Sequence, residues 1–168
     1  MAVRVAVYAG SFDPVTLGHL DIIRRGAGVF ERVIVGVGEN PAKRYLLTRE
    51  VRLATLREIT RDIPNVEVTS FSGLLVDFCL SIGAGVILRG LRAVADFEFE
   101  FQAGLANRDM APGIETMFLL PAPRFIFISS SLVKEILVSG GDVSAYVPPA
   151  SLAALQAVHP PPGNPTAP

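Results

Sequence analysis

The sequence has a single cysteine, Cys79, two widely separated histidines, His19 and His159, and no tryptophan. One cysteine excludes a disulfide framework within the chain and any cysteine-based zinc cluster; two distant histidines make a histidine-rich metal site a poor reading. No apolar run approaches the roughly 20 residues that a membrane-spanning helix requires. At the amino end Arg4 interrupts the first apolar residues and Gly10 and Asp13 follow quickly, unlike a secretory signal peptide. A reducing, cytoplasmic setting is the expectation. Charge is sparse, at 18% of residues, and nearly balanced, with 15 Lys plus Arg against 16 Asp plus Glu. That balance argues against a protein whose main task is to coat nucleic acid or an anionic membrane, and leaves room for a local cationic pocket.

Apolar residues are abundant instead, at half of the 168 positions, with ten Phe among them. One domain of this size can bury a sizeable core. The pattern alternates between Val/Ile-rich runs and helical stripes. Val3–Ala9 reads as a buried strand stopped by Gly10, with a loop at 11–16 in which Asp13-Pro14 signals a turn. Thr16 is placed to cap a helix carrying Leu20, Ile23, Ala27 and Phe30. Arg32–Val37 is a second strand, followed by a polar loop, Glu39–Tyr45. Thr48 opens a helix with the stripe Leu53, Leu56, Ile59 and Ile63, and Arg49, Arg52, Glu58, Arg61 and Asp62 are expected to fall largely outside it. Asn65–Phe71 and Val86–Leu88 read as further strands, with Leu74–Ile82 between them as a buried helix ending before Gly83.

The run Phe97-Glu98-Phe99-Glu100-Phe101 has a period of two, yet Phe101 and Leu105 continue Phe97 at helical spacing, and a helix is expected. Thr116–Leu120 is a fifth strand, Ser129–Ser131 opens a helix through Val138, and Ser151–Val158 is a last short helix. Residues 160–168 are Pro-rich and read as a flexible tail beyond a single domain at 1–159. Alternation of strand and helix implies an α/β fold: a Rossmann-like, doubly wound domain around a five-stranded, mainly parallel sheet. Ligands of such sheets lie beyond the carboxyl ends of the strands, where the strand order reverses.

The turn after the first strand, from Gly10 to His19, is the most informative segment. Gly10 permits a sharp exit from the strand, and Gly18 leaves room for a ligand near the first helical turn. Free N–H groups at that helix start attract phosphate, and His19 lies in the same turn. The dinucleotide pattern G-x-G-x-x-G is missing here, which weighs against a nicotinamide-dependent oxidoreductase.

The segment G-x-F-D-P-x-T-x-G-H, with Thr16-Leu17-Gly18-His19 at its end, resembles the signature of the nucleotidyltransferase superfamily of cytidylyltransferases and adenylyltransferases. The resemblance extends to Leu88–Glu98, to Phe127–Glu135 with its run Ile128-Ser129-Ser130-Ser131, and to Lys43 in the loop Asn40–Lys43. Together these are similar to the bacterial phosphopantetheine adenylyltransferases over most of residues 3–150. That family resemblance implies reversible adenylyl transfer from ATP to 4′-phosphopantetheine, with Mg²⁺, giving dephospho-coenzyme A and pyrophosphate without a covalent enzyme intermediate. It also implies a homohexamer.

By residue-for-residue match, Ser11 and Phe12 would meet the nucleotide phosphates, and Ser11 the acceptor phosphate as well. His19 would touch the α-phosphate and stabilise the transition state, while Lys43 and Arg89 would hold the acceptor phosphate. Gly90, Leu91 and Arg92 would line the nucleotide, with Arg92 near its phosphates, and Glu100 would meet the nucleotide end. Leu75 would lie along the pantetheine arm, and Phe125, Ile126, Phe127, Ile128, Ser129, Ser130 and Ser131 would form the remaining wall. No protein residue is implied as a metal ligand. Ser11 stands where the family usually has Thr, Phe99 where Tyr is common and Phe125 where Trp is frequent.

The residue chemistry agrees with such a reaction. Bringing two anions together requires cations, and catalysis is largely orientation plus electrostatic stabilisation. Cys79, in an apolar helix, reads as an inert core thiol rather than a nucleophile. A nucleotidyltransferase using CTP and a phospho-alcohol, or ATP and nicotinamide mononucleotide, is the enzymatic alternative. A non-catalytic nucleotide-binding module is the alternative of another class.

Overall fold

Strands buried on both faces read as unbroken Val/Ile runs, and the central strands here do so because helices cover both sides. The computed structural model describes residues 5–92 and 94–160. Its elements are β1 (Val5–Gly10), α1 (Leu17–Ala27), β2 (Arg32–Gly38), α2 (Arg49–Ile59), β3 (Val66–Phe71), α3 (Leu75–Ser81), β4 (Val86–Gly90), α4 (Val94–Met110), β5 (Glu115–Leu119), α5 (Ser130–Val138) and α6 (Pro149–Val158). The sheet order is β3-β2-β1-β4-β5, and every pair is parallel. The expected five-stranded α/β fold is what forms.

Register follows from the alternation of side chains. Tyr8 lies opposite Val35 and Leu88, so these three point to one face. There they join Ile23 of α1 and Leu56 of α2 in one core cluster. Val7, Ile34 and Ile87 point to the other face and pack with Val76 and Cys79 of α3 and with Ile114. A third cluster, Leu47 with Val133, Leu137 and Leu155, seats α5 and α6 beside α2. The strand order reverses at β1, whose neighbours are β2 and β4, and the carboxyl ends of β1 and β4 therefore open side by side.

Several boundaries differ from the sequence reading. β4 runs on to Gly90, which places Arg89 inside a strand, and α6 begins at Pro149. The first strand is described from Val5; the expected start at Val3 and all of the expected tail except Pro160 lie outside the described residues. α3 is not buried all round: Val76 and Cys79 face the core, while Leu80 is exposed.

α4 is a helix as expected, but its aromatic stripe turns outward. Phe99 is 70% exposed, Phe97 46% and Phe101 48%. The helix meets the sheet through a small residue instead: a Cβ on Gly104 would lie 3.6 Å from Thr116 of β5.

Candidate active site

The paired ends of β1 and β4 open into a cavity of about 610 Å³. β1 supplies Gly10 and the turn after it supplies Ser11; β4 supplies Arg89 and Gly90. α1 contributes His19, the loop after β2 contributes Lys43, and the start of α5 contributes Ser129, Ser130 and Ser131. Residues far apart in sequence thus meet because a parallel sheet gathers its strand ends on one edge.

His19 is fixed by its own helix cap. Thr16 is the N-cap, its Oγ1 accepting from the His19 N–H at 3.3 Å. In return the Thr16 N–H donates to His19 Nδ1 at 3.0 Å. Nδ1 must then be the acceptor nitrogen, so the neutral ring carries its proton on Nε2. Beneath it, Phe12 and Tyr8 are buried, with the Phe12 ring 5.2 Å from the imidazole and perpendicular to it within about 20°. Burial, together with the charges of Arg92 and Arg89, lowers the His19 pKa to about 4. The imidazole is consequently neutral near pH 7, a hydrogen-bond donor rather than a fixed cation.

Phe12 itself does not offer its ring to a ligand, since it is buried against Gly10, where a Cβ would lie 3.2 Å from Phe12 Cζ. Its φ of 50° is a left-handed conformation that turns the backbone after Ser11. The expectation of several free N–H groups at the start of α1 needs correction. The Leu17 N–H donates to Tyr146 O at 2.9 Å and that of His19 to Thr16, which leaves Gly18. The start of α5 is the better anion end. Ser129 caps Leu132 N at 3.0 Å, and among the described residues the N–H groups of Ser130 and Ser131, at the cavity edge, have no hydrogen-bond acceptor. The Ser130 hydroxyl donates to Pro14 O at 2.8 Å, tying α5 to the first turn.

Three cations border the cavity in different states. Arg89 is held by Glu100, with Nε to Oε2 at 2.8 Å and Nη2 to Oε1 at 2.5 Å, and by Ala9 O at 2.8 Å. Burial disfavours its charge, but the Glu100 bonds more than offset this and raise its pKa. Both Glu100 oxygens are thereby engaged with Arg89. Arg92 donates to Asp96 at 3.1 Å and to Ile128 O at 3.1 Å. Lys43 is exposed and, among the described residues, makes no ion pair. Tyr8, in the cavity floor, is kept a neutral phenol: burial raises its pKa against the opposing pull of Arg89 and Arg92.

Of the residues singled out from sequence, Ser11, Phe12, His19, Lys43, Leu75, Arg89, Gly90, Arg92, Glu100, Ile128 and Ser129 to Ser131 all border this one cavity. Leu91, Phe125, Ile126 and Phe127 do not. Leu91 binds Leu119 O through its N–H. Phe125 packs into the third cluster under Arg124. Ile126 and Phe127 are exposed, the latter edge-on to Tyr146.

Two functional-looking groups escaped the sequence reading. Arg52 was expected outside the apolar stripe of α2; it is 1% exposed and, among the described residues, the largest fully buried side chain. Its position four residues before Leu56, on the same helical face, was the available signal. Asp13, read only as a turn former, is also buried. It accepts from Leu46 N at 2.9 Å, Leu47 N at 2.8 Å and Lys134 Nζ at 3.2 Å.

A cytidylyltransferase-like family model matches residues 7–136. The chain is 54% identical over 145 residues to a phosphopantetheine adenylyltransferase of Caldanaerobacter subterraneus subsp. tengcongensis, covering 86% of this chain and 91% of that protein. It is 51% identical over 153 residues to the enzyme of the same name from Xylella fastidiosa, covering 91% and 94%. A crystal structure of a Vibrio parahaemolyticus protein described as a candidate nicotinate-nucleotide adenylyltransferase superposes with a TM-score of 0.69. That match covers 92% of each chain at 19% identity, and so bears on the fold alone. From the fold and these relatives together, the chain belongs to the phosphopantetheine adenylyltransferases, within the cytidylyltransferase-like nucleotidyltransferases.

Proposed function

We propose that the cavity binds ATP and 4′-phosphopantetheine side by side and transfers the adenylyl group between them. A phosphate oxygen of the acceptor attacks the α-phosphorus, the bond to the β-phosphate oxygen breaks, and pyrophosphate leaves. Dephospho-coenzyme A is the other product, and no enzyme atom is covalently engaged. One observation carries the reading: His19, Lys43, Arg89 and Arg92 border a single cavity where β1 and β4 end. In this scheme His19 Nε2–H donates to the α-phosphate as charge builds on its oxygens. Lys43 and Arg89 hold the acceptor phosphate, Arg92 and the start of α5 receive the ATP phosphates, and Leu75 borders the pantetheine arm. The effect asked of them is alignment and charge stabilisation in a partly enclosed site.

Mg²⁺ enters this reading as part of the substrate, MgATP. The cavity carboxylates do not suit a protein-held cation, because Glu100 is fastened to Arg89 and Asp96 to Arg92. Among the described residues no cluster of three or more His, Cys, Asp or Glu is placed to hold a metal. Magnesium commonly binds through substrate phosphates and water.

Self-association as a homohexamer belongs to the same proposal. The outward Phe97 and Phe101, stacked on each other, form with Leu105 an apolar face of α4 that a second copy would cover. No helix among the described residues is long and apolar enough to cross a membrane, and a cytoplasmic setting without nucleic-acid or membrane partners fits the balanced charge.

The test is incubation of the purified protein with ATP, Mg²⁺ and 4′-phosphopantetheine, with mass identification of the product. Dephospho-coenzyme A is expected; product only with CTP or with nicotinamide mononucleotide would replace the reading. Light scattering tests assembly, and a monomer at working concentration would remove the hexamer.

A further inference from the structure

Arg52 lies behind the cavity wall and Tyr45 borders the cavity, and together they link two of its edges. The Arg52 guanidinium donates from Nη1 to Ser11 O at 2.8 Å, from Nη2 to Glu39 Oε1 at 2.6 Å and from Nε to Leu47 O at 3.2 Å. Its Cζ stands 4.1 Å from the centre of the Tyr45 ring. Tyr45 then reaches forward: its Oη accepts the Asn40 N–H at 2.7 Å. Asn40 in turn shapes the loop, its carbonyl accepting from Lys43 N at 2.9 Å and its Oδ1 from Ala42 N at 2.9 Å. An unbroken chain of contacts runs from Ser11 through Arg52, Tyr45 and Asn40 to Lys43.

A buried guanidinium is costly unless its donors are met, so a position chosen only for packing would favour an apolar residue. Here the donors are spent on two loops from different parts of the sequence. The lysine loop makes no regular secondary structure of its own, and Lys43 carries a long, flexible side chain that makes no ion pair among the described residues. Without an anchor its ammonium would sample a wide volume. We propose that Arg52 and Tyr45 are positioning residues: they set the Lys43 loop at a fixed separation from Ser11, so that the ammonium meets the acceptor phosphate. This rests on the reading of Lys43 as an acceptor-phosphate ligand.

Removing Arg52 would leave Glu39 and two carbonyls unpaired and could unfold the protein, so Tyr45→Phe is the test variant. It keeps the ring under the guanidinium and deletes only the hydroxyl that holds Asn40. Steady-state kinetics and amide hydrogen exchange are compared for wild type, Tyr45→Phe, Lys43→Ala and the double variant. Tyr45→Phe is expected to speed exchange at the Asn40 amide and to raise the KM for phosphopantetheine about fivefold, while the KM for ATP stays within about twofold. In the Lys43→Ala background the same change adds nothing to the acceptor KM. Unchanged exchange at Asn40, an equal rise in both KM values, or an acceptor KM that stays put although Lys43→Ala raises it, overturns the strut. If Lys43→Ala itself leaves the acceptor KM unchanged, the role read for Lys43 fails, and positioning of that ammonium fails with it.

Discussion

Glu100 grips Arg89 with both carboxylate oxygens, at 2.8 and 2.5 Å, across the end of β4. The strand end can carry a guanidinium there because α4 brings the compensating charge to it. The pair is mostly buried, with side-chain exposures of 28% for Arg89 and 12% for Glu100. Glu100→Ala therefore leaves a half-shielded cation without its partner. A loss of about 1–3 kcal/mol is expected, read as a lower denaturant midpoint, and Glu100→Gln, which keeps one acceptor oxygen, should lose less. Equal midpoints for wild type and the alanine variant would show that the pair does not contribute to stability.

The pKa of His19, lowered to about 4 by burial and by Arg92 and Arg89, has consequences for pH. The unfolded chain binds this proton with a pKa near 6.5, so it takes up more protons than the folded protein between those values. The contribution to stability is complete above about pH 6.5 and is lost as the pH falls toward 4. NMR titration of the ring should find the low value in the free protein and a rise on adding pyrophosphate, whose negative charge favours the protonated ring. A free-protein pKa of 6.5 would mean that the ring is open to water.

His19→Ala should leave the protein folded and reduce kcat on the order of 10²–10³-fold, as for loss of a key transition-state donor. The same change removes one side of the Thr16 cap and should cost about 1 kcal/mol in stability. Measuring both separates the two roles: a modest shift in melting with near-normal turnover would leave His19 as a cap alone.

Asp13→Ala would orphan the N–H groups of Leu46 and Leu47 and the ammonium of Lys134. With the side chain buried, a destabilisation of about 2–4 kcal/mol is expected from three lost or unmet bonds. Urea unfolding checks it, and a variant as stable as wild type would mean that water replaces the carboxylate at little cost.

The architecture was legible because parallel strands buried on two faces leave continuous runs such as Val33 to Val37, and because Thr16, Thr48 and Ser129 cap their helices as their types suggest. The first turn was legible for a similar local reason: Gly10, Thr16 and His19 act within one short segment. Arg52 was not, since its partners at Ser11, Glu39 and Leu47 become neighbours only through folding. The outward turn of Phe97 and Phe101 was equally hidden. Periodicity shows that a face is apolar without saying whether this chain or another covers it. Leu91 and Phe125 to Phe127, which do not themselves line the cavity although Phe125 lies against Gly18 at its edge, were assigned by resemblance and by no local chemistry of their own.

Cys79 is sealed between α3 and the sheet, and burial pushes its thiol up to about 11. Phosphopantetheine ends in a free sulfhydryl, and an enzyme that handles such a molecule all day risks being captured by it under oxidising stress. With its sole sulfhydryl out of reach, this protein has no partner to offer for a mixed disulfide. Handling a thiol cargo therefore exposes no sulfhydryl of the described residues to capture by it.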